Sequence, residues 1–305
     1  MRIFVTGASG HIGAAVVADL LTAGHEVVGL ARSDASATAL TAAGADVRAG
    51  TLDDLEGLRE AASASDGVIH LAFKHEAMQS GDYVGAITAD LLAVGAIGDV
   101  LVGTGKPFVG TSGTLLLTRG DLGRAGTEAD VMASGPRIDA ENAVIALGER
   151  GVRSSVVRLP PTVHSSLDHH GFVPMLIALA RDTGVAAYVG EGANRWPAGH
   201  TLDAAHLYVL ALASAPAGSR LHAVADEGVP FRQIAETIGR HLDLPAKSIT
   251  AAEAGDHFGF LGPLVALDNP TSSALTRELL GWVPTHAGLL EDLDEGHYFD
   301  AAAPT

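Results

Sequence analysis

Apolar residues recur along the chain in two rhythms. Short β-branched runs alternate with longer stretches in which apolar residues return at helical spacing. Arg2–Thr6 reads as a buried strand, Ile12–Ala23 as a helix, His25–Leu30 as a second strand and Ala35–Ala43 as a second helix. Ala45–Ala49 is a third strand, Leu55–Ala64 a helix, Gly67–Phe73 a fourth strand and Tyr83–Val102 a long helix. Pro107–Gly110 begins a fifth strand ending in the hydroxyl-rich Thr111–Thr114; Ala140–Glu149 is helical and Arg153–Arg158 a sixth strand. Strands alternating with helices require right-handed crossovers, so the expected class is α/β with a doubly wound parallel sheet.

The rhythm breaks at Pro160-Pro161 and the loop through Gly171. Beyond it Phe172–Arg181, Thr201–Ala213, Phe231–Leu242 and Ser273–Leu280 read as helices and Leu221–Ala225 as a strand, while Ala301–Thr305 reads as a frayed tail. This predicts a smaller C-terminal α/β cap over residues 161–305, with the stretch at about 200–225 returning to the sheet of residues 1–160.

Thr6-Gly7-Ala8-Ser9-Gly10-His11-Ile12-Gly13 lies where the first strand yields to the first helix. Gly7 permits a tight turn, Gly10 lets backbone approach a pyrophosphate, and Gly13 lets the helix pack closely on the strand. Ser9, His11 and Ile12 bring amides to the helix N-terminus, where the dipole favours anions. The first 160 residues are therefore expected to be a Rossmann dinucleotide-binding domain and the remainder mainly a substrate-binding region. Where an NAD site usually carries an acid, the second strand ends Leu30-Ala31-Arg32-Ser33. A guanidinium can clamp a 2′-phosphate and Ser33 can add a hydroxyl, so the expected cofactor is NADP; Asp34 just beyond keeps NAD open.

Composition removes other classes. The formal charge of −17 opposes nucleic acid and anionic lipid as partners, leaving a small-molecule substrate. The chain has no cysteine, which excludes disulfides, thiolate metal sites and cysteine nucleophiles. The most apolar long stretch, Ile87–Gly103, carries Asp90 and Asp99, against a membrane span, and the opening MRIFVTGASG does not read as a secretory signal, so a cytoplasmic location is expected. A homodimer through sheet-flanking helices is compatible with this pattern. Adjacent His169-His170 lacks a supporting carboxylate pattern, and no metal is expected.

With these residues the chain resembles the extended and atypical short-chain dehydrogenases/reductases, the NAD(P)-dependent epimerase/dehydratase-like superfamily. The similarity runs over most of the chain, and the glycine motif is its most specific part. Leu52-Asp53 is similar to the family's pair near the adenine, and His70-Leu71-Ala72-Phe73 to the backbone lining the cofactor's ribose. Thr111-Ser112-Gly113-Thr114 resembles the strand end that carries the catalytic hydroxyl. Arg158-Leu159-Pro160-Pro161-Thr162-Val163 resembles the stretch beside the nicotinamide, and Asn194-Arg195-Trp196 through His200 with Asp203-Ala204-Ala205 resembles a substrate-domain segment. The resemblance implies cofactor contacts from Thr111, Pro160 and Val163.

One departure matters more than these matches. The family's reaction uses a Tyr-x-x-x-Lys pair, yet the tyrosines (83, 188, 208, 298) and lysines (74, 106, 247) never take that spacing. Where the pair should fall, Arg137 stands for Tyr and Glu141 for Lys. Arginine keeps its proton, so Arg137 can orient or polarise a carbonyl but not protonate it, with Glu141 expected to hold it as an i,i+4 pair. His75, after the fourth strand, is a candidate proton donor, with another histidine or water as alternatives, and Ser112 or Thr114 could hydrogen-bond the carbonyl. His164, Trp196 and His200 are candidate substrate contacts. The leading expectation is an NADP-dependent carbonyl reductase or alcohol dehydrogenase acting on a small, fairly apolar molecule. A sugar-nucleotide epimerase/dehydratase and a non-catalytic NADP-binding sensor are the alternatives.

Overall fold

The computed structural model describes residues 1–120 and 122–300. Its first half runs β1 (Arg2–Thr6), α1 (His11–Thr22), β2 (Glu26–Ala31), α2 (Asp34–Ala42), β3 (Asp46–Ala49), α3 (Leu55–Ser63) and β4 (Gly67–His70). There follow α4 (His75–Gln79), α5 (Tyr83–Leu101), β5 (Pro107–Gly113), α6 (Ile138–Ala146) and β6 (Arg153–Leu159). The second half holds β7 (Thr162–His164), α7 (Phe172–Thr183), β8 (Ala186–Val189), β9 (Arg195–His200), α8 (Thr201–Ser214), β10 (Ser219–His222) and β11 (Asp226–Pro230). It closes with α9 (Phe231–Leu242), β12 (Ala246–Ile249), α10 (Ala254–Phe258), α11 (Gly262–Val265), α12 (Ala274–Leu280) and α13 (Leu289–Asp294).

Seven parallel strands form the main sheet in the order β10-β6-β5-β4-β1-β2-β3, so the chain returns through β10 beside β6. Strand order reverses between β1 and β4, and at that switch point the carboxyl ends open a crevice. Apolar residues of α1 and α8 (Val16, Leu20, Leu207, Leu212) pack one face, and those of α3, α5 and α6 (Leu58, Ile97, Val144) the other. Both faces are thereby covered, as a parallel sheet requires. α5 is apolar and long enough to cross a membrane by length alone, but half of it is buried inside the protein, and Asp90 there bonds His70. The cap has its own core around Trp196, Phe231 and Phe258, between the strands β11-β9-β7 and β12-β8 and their helices.

The fourth strand stops at His70 instead of Phe73, because Leu71 N turns to Thr6 O (3.2 Å) and Ala72 N to Thr6 Oγ1 (3.2 Å). Residues 71–74 are thereby released as a loop over the crevice. Conversely, β5 continues to Gly113, fully paired with β6. The expected frayed tail, 301–305, lies outside the described residues.

Candidate functional site

The turn after β1 is built around its glycines. Gly7 has φ +68°, and a Cβ there would fall 2.7 Å from Ala72 N. A Cβ on Gly13 would fall 2.0 Å from Gly7 O, so only glycine lets α1 approach the strand this closely. Gly10 caps α1 without a side-chain hydrogen bond, and no acid occupies the first turn, so the leading amides remain available to an anion. Ser9 and Gly10 are exposed, and Ile12 is half-buried in the wall. This cradle fits a dinucleotide diphosphate. His11 Nε2 lies 2.6 Å from Thr201 Oγ1, and burial, then the nearby His169, His164, His200 and His170, hold its imidazole down to about 4.

At the adenosine end Arg32 is exposed just past β2, its Nη2 donating to Glu76 Oε1 at 2.6 Å. Ser33 caps α2 by accepting from Ser36 N (3.2 Å). Leu52 is buried, and Asp53 accepts twice from Lys74 Nζ (2.7 and 2.7 Å), tying the β3 end to the β4 loop.

At the other end, Thr6 Oγ1 lies 2.8 Å from His70 Nδ1, and His70 Nε2 lies 3.2 Å from Asp90 Oδ1. Thr111 donates to His70 O (2.7 Å) and lies 2.8 Å from the Tyr208 hydroxyl, whose pKa burial raises. Leu71, Ala72 and Phe73 border this chain of bonds. The Arg137 guanidinium lies 4.0 Å over the Phe73 ring and donates to Thr111 O at 3.4 Å. His75 meets the same ring edge-on at 5.1 Å, and burial, then the Arg137 charge, holds its imidazole below the ordinary value. Arg137 itself adopts φ 62°, ψ −21°, a left-handed conformation costing a non-glycine residue about 1–2 kcal/mol. Beyond it opens a cleft of ≈ 480 Å³, walled by Phe73, Met78, Tyr83, Ile87, Leu115, Leu116, Leu264 and Leu267, with Arg119 and Arg137 among its polar groups.

Several expected roles are corrected by this geometry. Glu141 does not pair with Arg137. It is buried, accepting from Arg158 Nε (3.0 Å) and Nη2 (2.6 Å) and from Arg220 Nε (2.8 Å). Burial alone would raise its pKa, and the arginines outweigh it, holding the carboxyl below the usual range. Ser112 is buried with its hydroxyl unpartnered among the described residues, and Thr114 is fully buried with its hydroxyl accepting from Asn269 Nδ2 (3.0 Å); neither is among the residues walling the cleft. The intrahelical rule favoured Arg137 as partner, but the fold brings in two distant arginines. Trp196 is a cap-core residue, 5.0 Å from the Phe231 ring. His164 is sealed against Asp292 (2.9 Å), and His200 is buried with Nδ1 accepting from Leu202 N (3.2 Å); neither lines the cleft. Pro160 and Val163 are buried where β6 passes into β7. His200, Asp203 and His286 come within 4.8 Å of one another, but Asp203 is already satisfied by Thr285 N, His286 N and His286 Nδ1. Residues that sequence reasoning missed are Arg119, Leu115 and Leu116 after β5, and Leu264 and Leu267 from the cap; no local motif marks them.

Glycine turn, switch-point crevice and strand order define an NAD(P)-binding Rossmann protein of the short-chain dehydrogenase/reductase type. The model of the NAD dependent epimerase/dehydratase family matches residues 3–94. The chain is 49% identical over 301 residues to uncharacterized protein C2A9.02 of Schizosaccharomyces pombe, covering 98% of this chain and 100% of that one. It is 41% identical over 295 residues to uncharacterized protein YLL056C of Saccharomyces cerevisiae, covering 96% and 98%. In fold it is similar to the dTDP-glucose 4,6-dehydratase DesIV from Streptomyces venezuelae, solved with NAD and TYD bound, at TM-score 0.76, 18% identity and 96% coverage of each chain. The chain belongs to the NAD-dependent epimerase/dehydratase family of the extended short-chain dehydrogenases/reductases.

Proposed function

We propose that this protein is an NADP-dependent oxidoreductase of the carbonyl reductase or alcohol dehydrogenase type, acting on a small, largely apolar substrate. The observation that carries this reading is the juxtaposition of an uncapped glycine turn with an apolar cleft walled by Phe73 and Arg137, with His75 set against the Phe73 ring. Gly7, Gly10 and Gly13 would hold the diphosphate, Arg32 and Ser33 a 2′-phosphate, and Asp53 and Leu71–Phe73 the flanks. The bound dinucleotide supplies or accepts a hydride.

The chain's own residues do the rest. Arg137 donates to the substrate oxygen and stabilises negative charge there, without releasing its proton. His75 holds or gives the proton at a ring nitrogen. Since burial and Arg137 keep that imidazole below its ordinary pKa, it is neutral at pH 7. It can then accept a proton, which favours alcohol oxidation near neutrality, whereas carbonyl reduction gains from acid.

NADPH oxidation across aldehydes and ketones tests the reading. In this reductive assay His75→Ala should lower kcat/KM about 100- to 10,000-fold and flatten the decline in rate as pH rises through the His75 pKa. Unchanged turnover in that variant would remove His75 from the chemistry. NADP binding without turnover on the whole panel would favour a non-catalytic sensor.

A further inference from the structure

Three observations around the cleft converge. The first concerns backbone. Among the described residues only Arg137 and Asp243 carry positive φ without being glycine. Asp243 ends α9, where the left-handed conformation is an ordinary helix stop. Arg137 instead precedes α6, where an extended residue is normal, so its strain has no capping explanation. Strain of this kind persists where surrounding structure enforces it, and it marks sites that place a side chain.

The second concerns charge. With 36 acidic against 19 basic residues, most guanidinium groups find a carboxylate, and Arg153, Arg181 and Arg277, which do not, donate to backbone carbonyl oxygens. Arg32, Arg48, Arg124, Arg158 and Arg195 each hold a carboxylate. Arg137 and Arg119, both on the cleft wall, hold none among the described residues. Arg137 spends one long bond of 3.4 Å on Thr111 O and otherwise lies flat on Phe73, leaving most of its planar fork of donors free.

The third concerns surroundings. The remainder of the wall is largely apolar, with Met78, Tyr83, Leu116 and Leu264 prominent. Such walls exclude water, strengthen an ion pair formed between them and suit a hydrocarbon or aromatic body. They offer little to a sugar nucleotide.

We infer that the substrate is a carboxylic acid with an apolar body, an oxo acid or the corresponding hydroxy acid, whose carboxylate docks on Arg137 with help from Arg119. The inference rests on the oxidoreductase reading for its redox step and deepens it. The fork of Arg137 spans the carboxylate and the adjacent carbonyl oxygen, in the bidentate manner a guanidinium permits. In the reductive direction the carbonyl carbon takes a hydride from reduced nicotinamide dinucleotide. The carbonyl oxygen takes a proton from His75, giving the hydroxy acid and the oxidised dinucleotide. Docking of an anion also neutralises the charge that opposes protonation of His75, so the proton is better held when a substrate is present.

The test is calorimetric titration of benzoylformate, and separately of its methyl ester, into the full chain saturated with NADP. The acid should bind at least about 10-fold tighter than the ester. Arg137→Asn, which suits a left-handed backbone and should fold, ought to abolish that preference while leaving NADP affinity unchanged. Arg137→Lys should restore part of it, and Arg119→Gln should lose about 3-fold for the acid alone. Equal affinity for acid and ester, no binding of either at millimolar concentration, or a preference that survives Arg137→Asn would overturn the inference. The two readings fail separately. Charge-selective binding without hydride transfer upholds the carboxylate site and rejects the oxidoreductase, whereas turnover of neutral carbonyls with no preference for acids does the reverse.

Discussion

Arg32 and Arg137 are chemically identical and stand in opposite circumstances. Arg32 is exposed at the end of β2 and rests on an equally exposed glutamate, Glu76. A surface pair of that kind is worth little, so exchanging Glu76 for a phosphoryl group costs little and gains a doubly charged partner. Arg32→Ala should therefore weaken NADP binding about 10- to 100-fold and leave NAD binding nearly unchanged; equal losses in calorimetry would refute the 2′-phosphate assignment. The position of Arg32 just past β2 was legible in the sequence because it depends on distance from the glycine turn along one βαβ unit. Glu141 was not, because Arg158 and Arg220 reach it from β6 and β10, which no intrahelical spacing encodes.

Elements of the main sheet could be read because each parallel strand is buried on both faces and interrupted by a helix of its own. Agreement is close for β1, α1, α9 and β6. The cap strands β7, β9 and β11 escaped, since Pro161, Pro197, Gly199, Gly228 and Pro230 punctuate them and their burial depends on neighbours from elsewhere in the chain. α6 joins the two halves energetically. Its Glu141 neutralises two arginines where one of them is fully buried. Removing that carboxylate leaves cations without a counterion, and Glu141→Ala should destabilise the protein by about 3–5 kcal/mol in urea unfolding, against less than about 1 kcal/mol for a surface exchange such as Glu56→Ala. A loss below about 1 kcal/mol would show that water reaches the pair.

For the molecule as a whole, acidification should be the sensitive direction. His11, His200 and His222 are held down to about 4 by burial, against 6.5 for the free side chain. The unfolded chain takes up these protons first, so their contribution is complete above about pH 6.5 and is lost progressively toward 4. Asp168 opposes this: burial pushes it up to about 6, so it adds stability as pH falls through that value. Three groups against one leave a net loss on the order of a few kcal/mol. Thermal melts at pH 7.5, 6 and 5 should show Tm falling by several degrees. A flat or rising Tm would mean that these histidines are solvated. The class of fold was legible at this scale from alternation alone, whereas the cleft was not, because loops after β4 and β5, the start of α6 and the segment around Leu264–Leu267 meet there only after folding.

The anchoring of α6 also limits which proton donor this chain can carry. Reinstalling the superfamily's usual acid would put Tyr at 137, on a backbone twisted against bulky side chains, and Lys at 141, where an ammonium would be shut in with Arg158 and Arg220. The two substitutions would thus assemble three cations and remove the carboxylate that now neutralises two of them. A Tyr-x-x-x-Lys pair at these two positions is barred by the protein's own interior, and any chemistry in the cleft has to run on the groups around it.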